Sequence, residues 1–208
     1  MRKAASYALL LMAAFVLKAE IIDRIAITVD RLVITESDLR RQISLAAFMN
    51  GEVADFSPKS RRTMAERLIE QALIRNEMKL TRYPQTESYE ADASMEEARK
   101  KYPSVAAYVE TLGKYRLDER DLREYLLWQL TLVRFTNSRF RVGLQVAPVE
   151  VEDYYAKNLA GKSKLTIEQA TPQIEEALIG ERLNKSLYAW LDEVRTRTRV
   201  EIREESFK

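Results

Sequence analysis

Residues 21–43 read IIDRIAITVDRLVITESDLRRQI, and most of the fold follows from how this stretch is parsed. Ile25, Ile27 and Val29 alternate with Ala26 and Thr28, the two-residue period of a strand with one buried face. Asp30-Arg31 interrupts the run and Leu32 to Ile34 resume it, so the spacing predicts a small β-hairpin whose turn lacks the customary glycine. Thr35 then stands three residues before Asp38, a capping-box arrangement, and Leu39, Ile43, Ala46 and Ala47 follow at helical spacing up to Asn50-Gly51. Close to the other terminus, Arg199-Val200-Glu201-Ile202 alternates again. A two-stranded ribbon alone is marginal in water, so the two ends are expected to pair, with unrelated edge strands as the alternative. The fold class expected is mainly α: a single helical domain with a small β element in which an N-terminal hairpin pairs with a C-terminal strand.

Helical patterns fill the interval. Ser57-Pro58 supplies a cap and a first-turn proline for a stripe of Met64, Leu68, Ile69, Ala72, Leu73 and Leu80 that ends before Pro84. Ser88 to Lys101 reads as a more polar helix, and Ser104 to Leu112 as another stopped by Gly113. Asp118, three residues before Asp121, opens the strongest pattern, with Leu122, Leu126, Leu130 and Val133 on one face and Leu127, Trp128 and Phe135 broadening it. Pro148 begins a short helix carrying Tyr154 and Tyr155. A last long helix is expected from about Ile167 to Thr198, striped by Ile174, Leu178, Leu183, Leu187, Trp190, Leu191 and Val194. Pro172 lies inside that pattern, so the helix either starts just before it or is kinked in its first turns.

The composition narrows the chemistry. Among 208 residues there is no His and no Cys, which excludes Ser-His-Asp and Cys-His nucleophile systems, imidazole relays, disulfides and the usual zinc sites. Adjacent acids at Glu96-Glu97, Glu175-Glu176 and Glu204-Glu205 read as solvated faces, and Glu150, Glu152 and Asp153 as acids at a helix start. No Gly-rich phosphate loop or Asp-rich calcium loop is present. The expectation is no catalytic residues, no metal and no cofactor.

The first nineteen residues carry Arg2 and Lys3, then an uncharged apolar run from Ala4 to Leu17, then Leu17-Lys18-Ala19. This is the pattern of a secretory signal peptide, residues 1–19. The run rises about 21 Å as a helix against a hydrocarbon core of about 30 Å, so no stable span is expected after cleavage, an uncleaved anchor being the rival. Arg2, Lys3 and Lys18 are three of the 34 basic residues, and beyond residue 19 the balance is 31 basic against 32 acidic. Attraction to nucleic acid therefore has no electrostatic support.

Aromatic side chains outside the clear stripes, Tyr83, Tyr89, Tyr102, Tyr108, Tyr115 and Phe140, are either half-buried core or an apolar surface for other polypeptides. Residues 139–147, RFRVGLQVA, add Val142, Leu144 and Val146 in strand-like alternation, able to augment a partner strand or merely to connect two helices. The candidate client-binding set is Tyr83, Tyr89, Tyr102, Tyr108, Tyr115, Phe140, Leu144 and Val146.

The stretch 21–43 resembles the start of SurA-type periplasmic chaperones, where a β-hairpin enters a helix through an I-x-x-S-D-L segment, here Ile34 to Leu39. AERLIEQALIRNEMKL (65–80), LDERDLREYLLWQLTLVRF (117–135), VAPVEVEDYYAKN (146–158) and TPQIEEALIGERLNKSLYAWLDEVRTRTRVEI (171–202) resemble later segments of that family in the same order. The resemblance implies a SurA-like core over residues 20–208, its N-terminal part at 20–158 and its closing helix and strand at 166–203. In SurA-type and PrsA-type proteins one or two parvulin prolyl isomerase domains sit before the closing helix; here that interval is Lys157 to Thr166, too short to hold one. What it implies is an ATP-independent periplasmic holdase without the isomerase, its partners unfolded or nascent exported polypeptides, outer-membrane β-barrel precursors among them. The alternatives are a dedicated assembly subunit of the cell envelope and, further off, a prolyl isomerase with an unfamiliar site. Whether the chain is a monomer or a dimer swapped through its terminal helix is left open.

Overall fold

The computed structural model describes residues 23–84 and 86–207, so the signal-peptide segment and the first two residues of the Ile21 run lie outside the described residues. Strands β1 (Ile25–Val29), β2 (Leu32–Thr35) and β3 (Val200–Ile202) form one sheet in the order β2-β1-β3. Both pairings are antiparallel, with Ile27 opposite Ile34 on one side and Ile202 on the other. The expected pairing of the N-terminal hairpin with the C-terminal strand is therefore present. Asp30 takes the place of the missing turn glycine with a left-handed φ of 51°, a region that Asp tolerates better than most residues. Its N–H donates to the Arg199 carbonyl at 2.8 Å, and its carboxylate accepts the Arg199 N–H at 3.1 Å, so the hairpin tip also fixes the start of β3.

The simple alternation expected for β1 holds only in part. A bulge between Ile25 and Ile27 sets three residues of β1 against two of β2. Ala26 and Ile27 are both fully buried as a result, and Ile25, expected inside, is 47% exposed.

Seven α-helices stand among the described residues: α1 (Glu36–Asn50), α2 (Pro58–Leu80), α3 (Asp92–Lys100), α4 (Val105–Lys114), α5 (Glu119–Phe140), α6 (Pro148–Asn158) and α7 (Ile167–Thr196). The cap signals act as expected. Thr35 and Asp38 complete a capping box, Ser57 caps α2 ahead of Pro58, Asp118 and Asp121 complete the box of α5, and Gly51 ends α1 at φ 69°. Gly113, expected to stop α4, lies inside it; the left-handed residue after the helix is Arg116 at φ 58°. Pro172 sits in the second turn of α7, where the loss of one N–H is tolerated near a helix start. Residues 142–146, expected to alternate as a strand, form no strand and turn through Gly143 at φ 83°.

Buried side chains fall into three clusters. The first packs Ile27, Val29 and Ile34 of the sheet against Ile69 and Leu73 of α2 and Trp190, Leu191 and Val194 of α7. The second gathers Leu45 and Phe48 of α1, Met95 of α3, Tyr108 and Leu112 of α4, and Leu122 and Leu126 of α5. The third is small, Val151 of α6 against Ala170 and Ile174 of α7.

Helices α1 and α5 serve the first two clusters with opposite faces. On α5, Leu122 and Leu126 enter the second cluster, while Trp128 and Phe135, roughly half a turn around the helix, enter the first. Leu39 and Ile43 against Leu45 and Phe48 repeat the arrangement on α1. This is why Leu130 and Val133, which continue the face of Leu122, are not buried: the face they share has run past the second cluster. Leu80, expected in the α2 stripe, is likewise exposed at the last turn.

Along the seam of α2 with α7, Arg195 pairs with Glu66 at 2.5 Å. The neighbouring Glu70 carboxyl is held above the usual carboxylate range, first by burial and then by the Glu66 charge, against the opposing pull of Arg195 and Arg67. An acid raised in the fold binds its proton more tightly folded than unfolded, so its charge opposes folding at neutral pH and the penalty fades as pH falls through the raised value. Glu70→Gln is expected to raise the melting temperature slightly at pH 7, with the difference from wild type closing below about pH 4. Ile27→Ala, at the centre of the sheet, is expected to cost about 2–5 kcal/mol in urea unfolding.

Candidate functional site

The eight candidate client-binding residues do not converge on one hollow. Tyr102, Tyr108 and Tyr115 gather around Phe48, whose ring stacks on Tyr102 at 6.1 Å and meets Tyr115 edge-on at 5.7 Å. Tyr108 is fully buried, which pushes its phenol above the usual range, and Arg99 lies over its ring at 6.0 Å. The Tyr115 hydroxyl donates to the Glu52 carbonyl at 2.7 Å and so holds the loop after α1. Tyr83 and Phe140 belong to a second aromatic group with Phe135 and Trp190, ring centroids 5.7–6.5 Å apart, topped by Arg139, which also pairs with Glu77 at 3.0 Å. Tyr89 stands 70% exposed in a short 3-10 turn. Leu144 and Val146 are half-buried in the connection between α5 and α6, Val146 against the third cluster.

Several open clefts lie on the surface of the described residues. One, of about 470 Å³, runs between α3 and α4. Tyr102 is in its wall, beside Val105 and Val109, two α4 residues one turn apart that remain 68% and 52% exposed. Arg99 and Glu119, paired at 2.7 Å, line the same groove. Of the aromatic set Tyr102 stands in this groove, and behind it the ring packs against Phe48 and Tyr108 of the second cluster.

A second cleft, of about 490 Å³, opens between the hairpin tip, α2 and α5. Leu32, Met78, Leu127 and Trp128 supply apolar walls. The hydroxyls of Thr86 and Thr131, 2.6 Å apart, tie the chain that follows α2 across α5 at this cleft. The Arg75 guanidinium lies 4.0 Å from the centroid of the Trp128 ring. Burial among the surrounding walls pulls the Arg75 group below its ordinary range, with Glu124 pulling the other way. Its solvent-facing side stays exposed, as befits a cation on the wall of an open cleft. Arg75 and Trp128 also border a polar niche of about 80 Å³ lined by Gln42, Gln71 and the charged Arg41, Asp121 and Glu124.

The sequence reading passed over Arg75, although a signal was present. The residues three and four positions away are Ala72, Met78, Gln71 and Lys79, so its own helix offers no acid to neutralise it. Trp128 was legible as core and is core; that it carries a cation on its face depends on the packing of α5 against α2.

Among the described residues no group of His, Cys, Asp and Glu is arranged to hold a metal ion, and no helix is long and apolar enough to cross a membrane.

Replacing an aromatic of the inner set and one of the outer set should separate packing from surface. Tyr108→Ala is expected to destabilise the chain by about 3–5 kcal/mol, in line with other large aromatic truncations. Tyr89→Ser should stay within about 0.5 kcal/mol of wild type in the same denaturant titration. No protein-family model matches the chain, and no curated protein matches it.

Proposed function

We propose that this chain is an ATP-independent holdase for unfolded exported polypeptides in the periplasm, working by binding and release with no bond made or broken. The observation that carries the reading is the exposed apolar ridge of Val105 and Val109 beside Tyr102, bordering an open groove. Unfolded barrel precursors expose alternating apolar and aromatic residues, and shallow apolar grooves cover such segments without fixing one sequence. Openness favours release, because distributed weak contacts are lost one at a time and need no energy source. The order of segments resembling SurA-type chaperones, together with the leader-like first nineteen residues, supports the compartment and the client class.

The test is aggregation of a urea-diluted outer-membrane barrel protein followed by light scattering. Wild type at a few-fold excess should suppress the scattering. Val105→Asp combined with Val109→Asp, both at exposed positions, should leave the melting temperature nearly unchanged and weaken suppression severalfold. A wild-type chain that leaves aggregation untouched removes the proposal. Capture of one stoichiometric envelope protein, with no effect on aggregation, would favour the assembly-subunit alternative.

A further inference from the structure

Arg75 is placed where packing alone gives it little to do. Its guanidinium covers the face of a buried Trp128, yet among the described residues it makes no ion pair or hydrogen bond of its own. Lys79, one turn along α2 and lining the same cleft, likewise has no ion-pair partner there. Among the described residues several arginines on or beside the helices are matched, Arg99 with Glu119, Arg123 with Asp92, Arg139 with Glu77, Arg141 with Glu176 and Arg195 with Glu66, whereas Arg40 and Arg67, like Arg75, have no acid at ion-pair distance. The single acid in the cleft wall, Glu124, sits 3.9 Å from Arg120 and beyond ion-pair distance of Arg75. The cleft therefore carries a net positive charge against an apolar wall, and a planar guanidinium already oriented by its ring is the donor best matched to a carboxylate.

We propose that the cleft between α2 and α5 seats the C-terminal end of a bound polypeptide, its terminal carboxylate on Arg75 and its last, apolar side chain against Met78, Leu127 and Trp128. One feature favours a chain end over an acidic side chain in mid-segment: a terminal carboxylate and the last side chain hang from the same carbon, which matches a cation lying directly on an apolar wall. This inference rests on the polypeptide-binding reading above and names one class of segment that the binding would favour.

The experiment is fluorescence anisotropy at low salt with seven-residue Gly/Ala peptides labelled at the amino end. The probes are one ending in Phe with a free carboxylate, its C-terminal amide, one ending in Ala with a free carboxylate, and an amide with an internal Asp-Phe pair. The free acid ending in Phe should bind about tenfold or more tighter than its amide, a difference of the size expected from one charge-assisted pair. The peptide ending in Ala should bind severalfold more weakly. Arg75→Gln should abolish the difference between acid and amide, and Arg75→Lys should retain part of it. Equal binding of acid and amide by wild type, or a difference that survives in Arg75→Gln, overturns the inference, as does the absence of binding by any probe. The internal Asp-Phe amide binding as tightly as the free acid overturns the chain-end assignment. The comparison of acid with amide on wild type does not depend on how any variant folds. A chain that suppresses aggregation yet fails to distinguish acid from amide keeps the holdase reading and loses this one.

Discussion

The pairing of β1 with both β2 and β3 is the constraint on which the rest of the structure depends. Three short strands hold each other in register only because the central one is buried on its inner face by α2 and α7, and those helices in turn close over the sheet. The junction at Asp30 and Arg199 is the smallest expression of this. A backbone N–H and a carboxylate at the hairpin tip bond the backbone carbonyl and N–H of Arg199, so the direction in which the last helix leaves the core is fixed by the turn between β1 and β2. The final residues add to the closure, with Phe207 buried in the first cluster and the Ser206 carbonyl accepting from Arg61 at 3.0 Å. Closure of this kind needs no disulfide, which suits a chain without cysteine.

Two helices with opposite buried faces extend that closed core into a second lobe. Because α1 and α5 each spend one end in the first cluster and the other end in the second, neither lobe can shift without disturbing both helices. Aromatic residues fill the corners this geometry leaves: Phe48 with three tyrosines in one lobe, Phe135 and Trp190 with Tyr83 and Phe140 in the other. Most of the rings that looked available for binding pack against one another instead. The exposed rims that remain are aliphatic in the groove of α4 and cationic on apolar in the cleft of α5. The hairpin of α6 and α7 joins the body through the second half of α7 and is further tied by the Arg141–Glu176 pair at 2.7 Å.

On the proposed reading, these surfaces serve the recognition of chemistry common to many polypeptides and not of one folded shape. An aliphatic ridge accepts any apolar side chain, and a terminal carboxylate is a group every chain possesses. On that reading each contact is weak by itself, and two such contacts at different places on one body add selectivity for long flexible ligands over small ones.

The sequence by itself determined the hairpin, the strand that meets it, the caps of α1, α2 and α5, and the main stripes of α2 and α7, because each is written in local spacing: a period of two, a period of 3.6, or a polar cap three residues from its partner. It also determined the absence of imidazole and thiol chemistry. The tertiary structure alone decided the bulge that turns Ile25 outward, the reversal of buried face along α5 that leaves Leu130 and Val133 out of the core, and the passage of α4 through Gly113. It also decided that most of the candidate aromatic residues pack against each other and not around a common hollow, and that Arg75 lies on Trp128 with no acid at ion-pair distance. In each of these cases the outcome is set by which element arrives at the far side of a helix, and residues distant along the chain carry no local mark of that meeting.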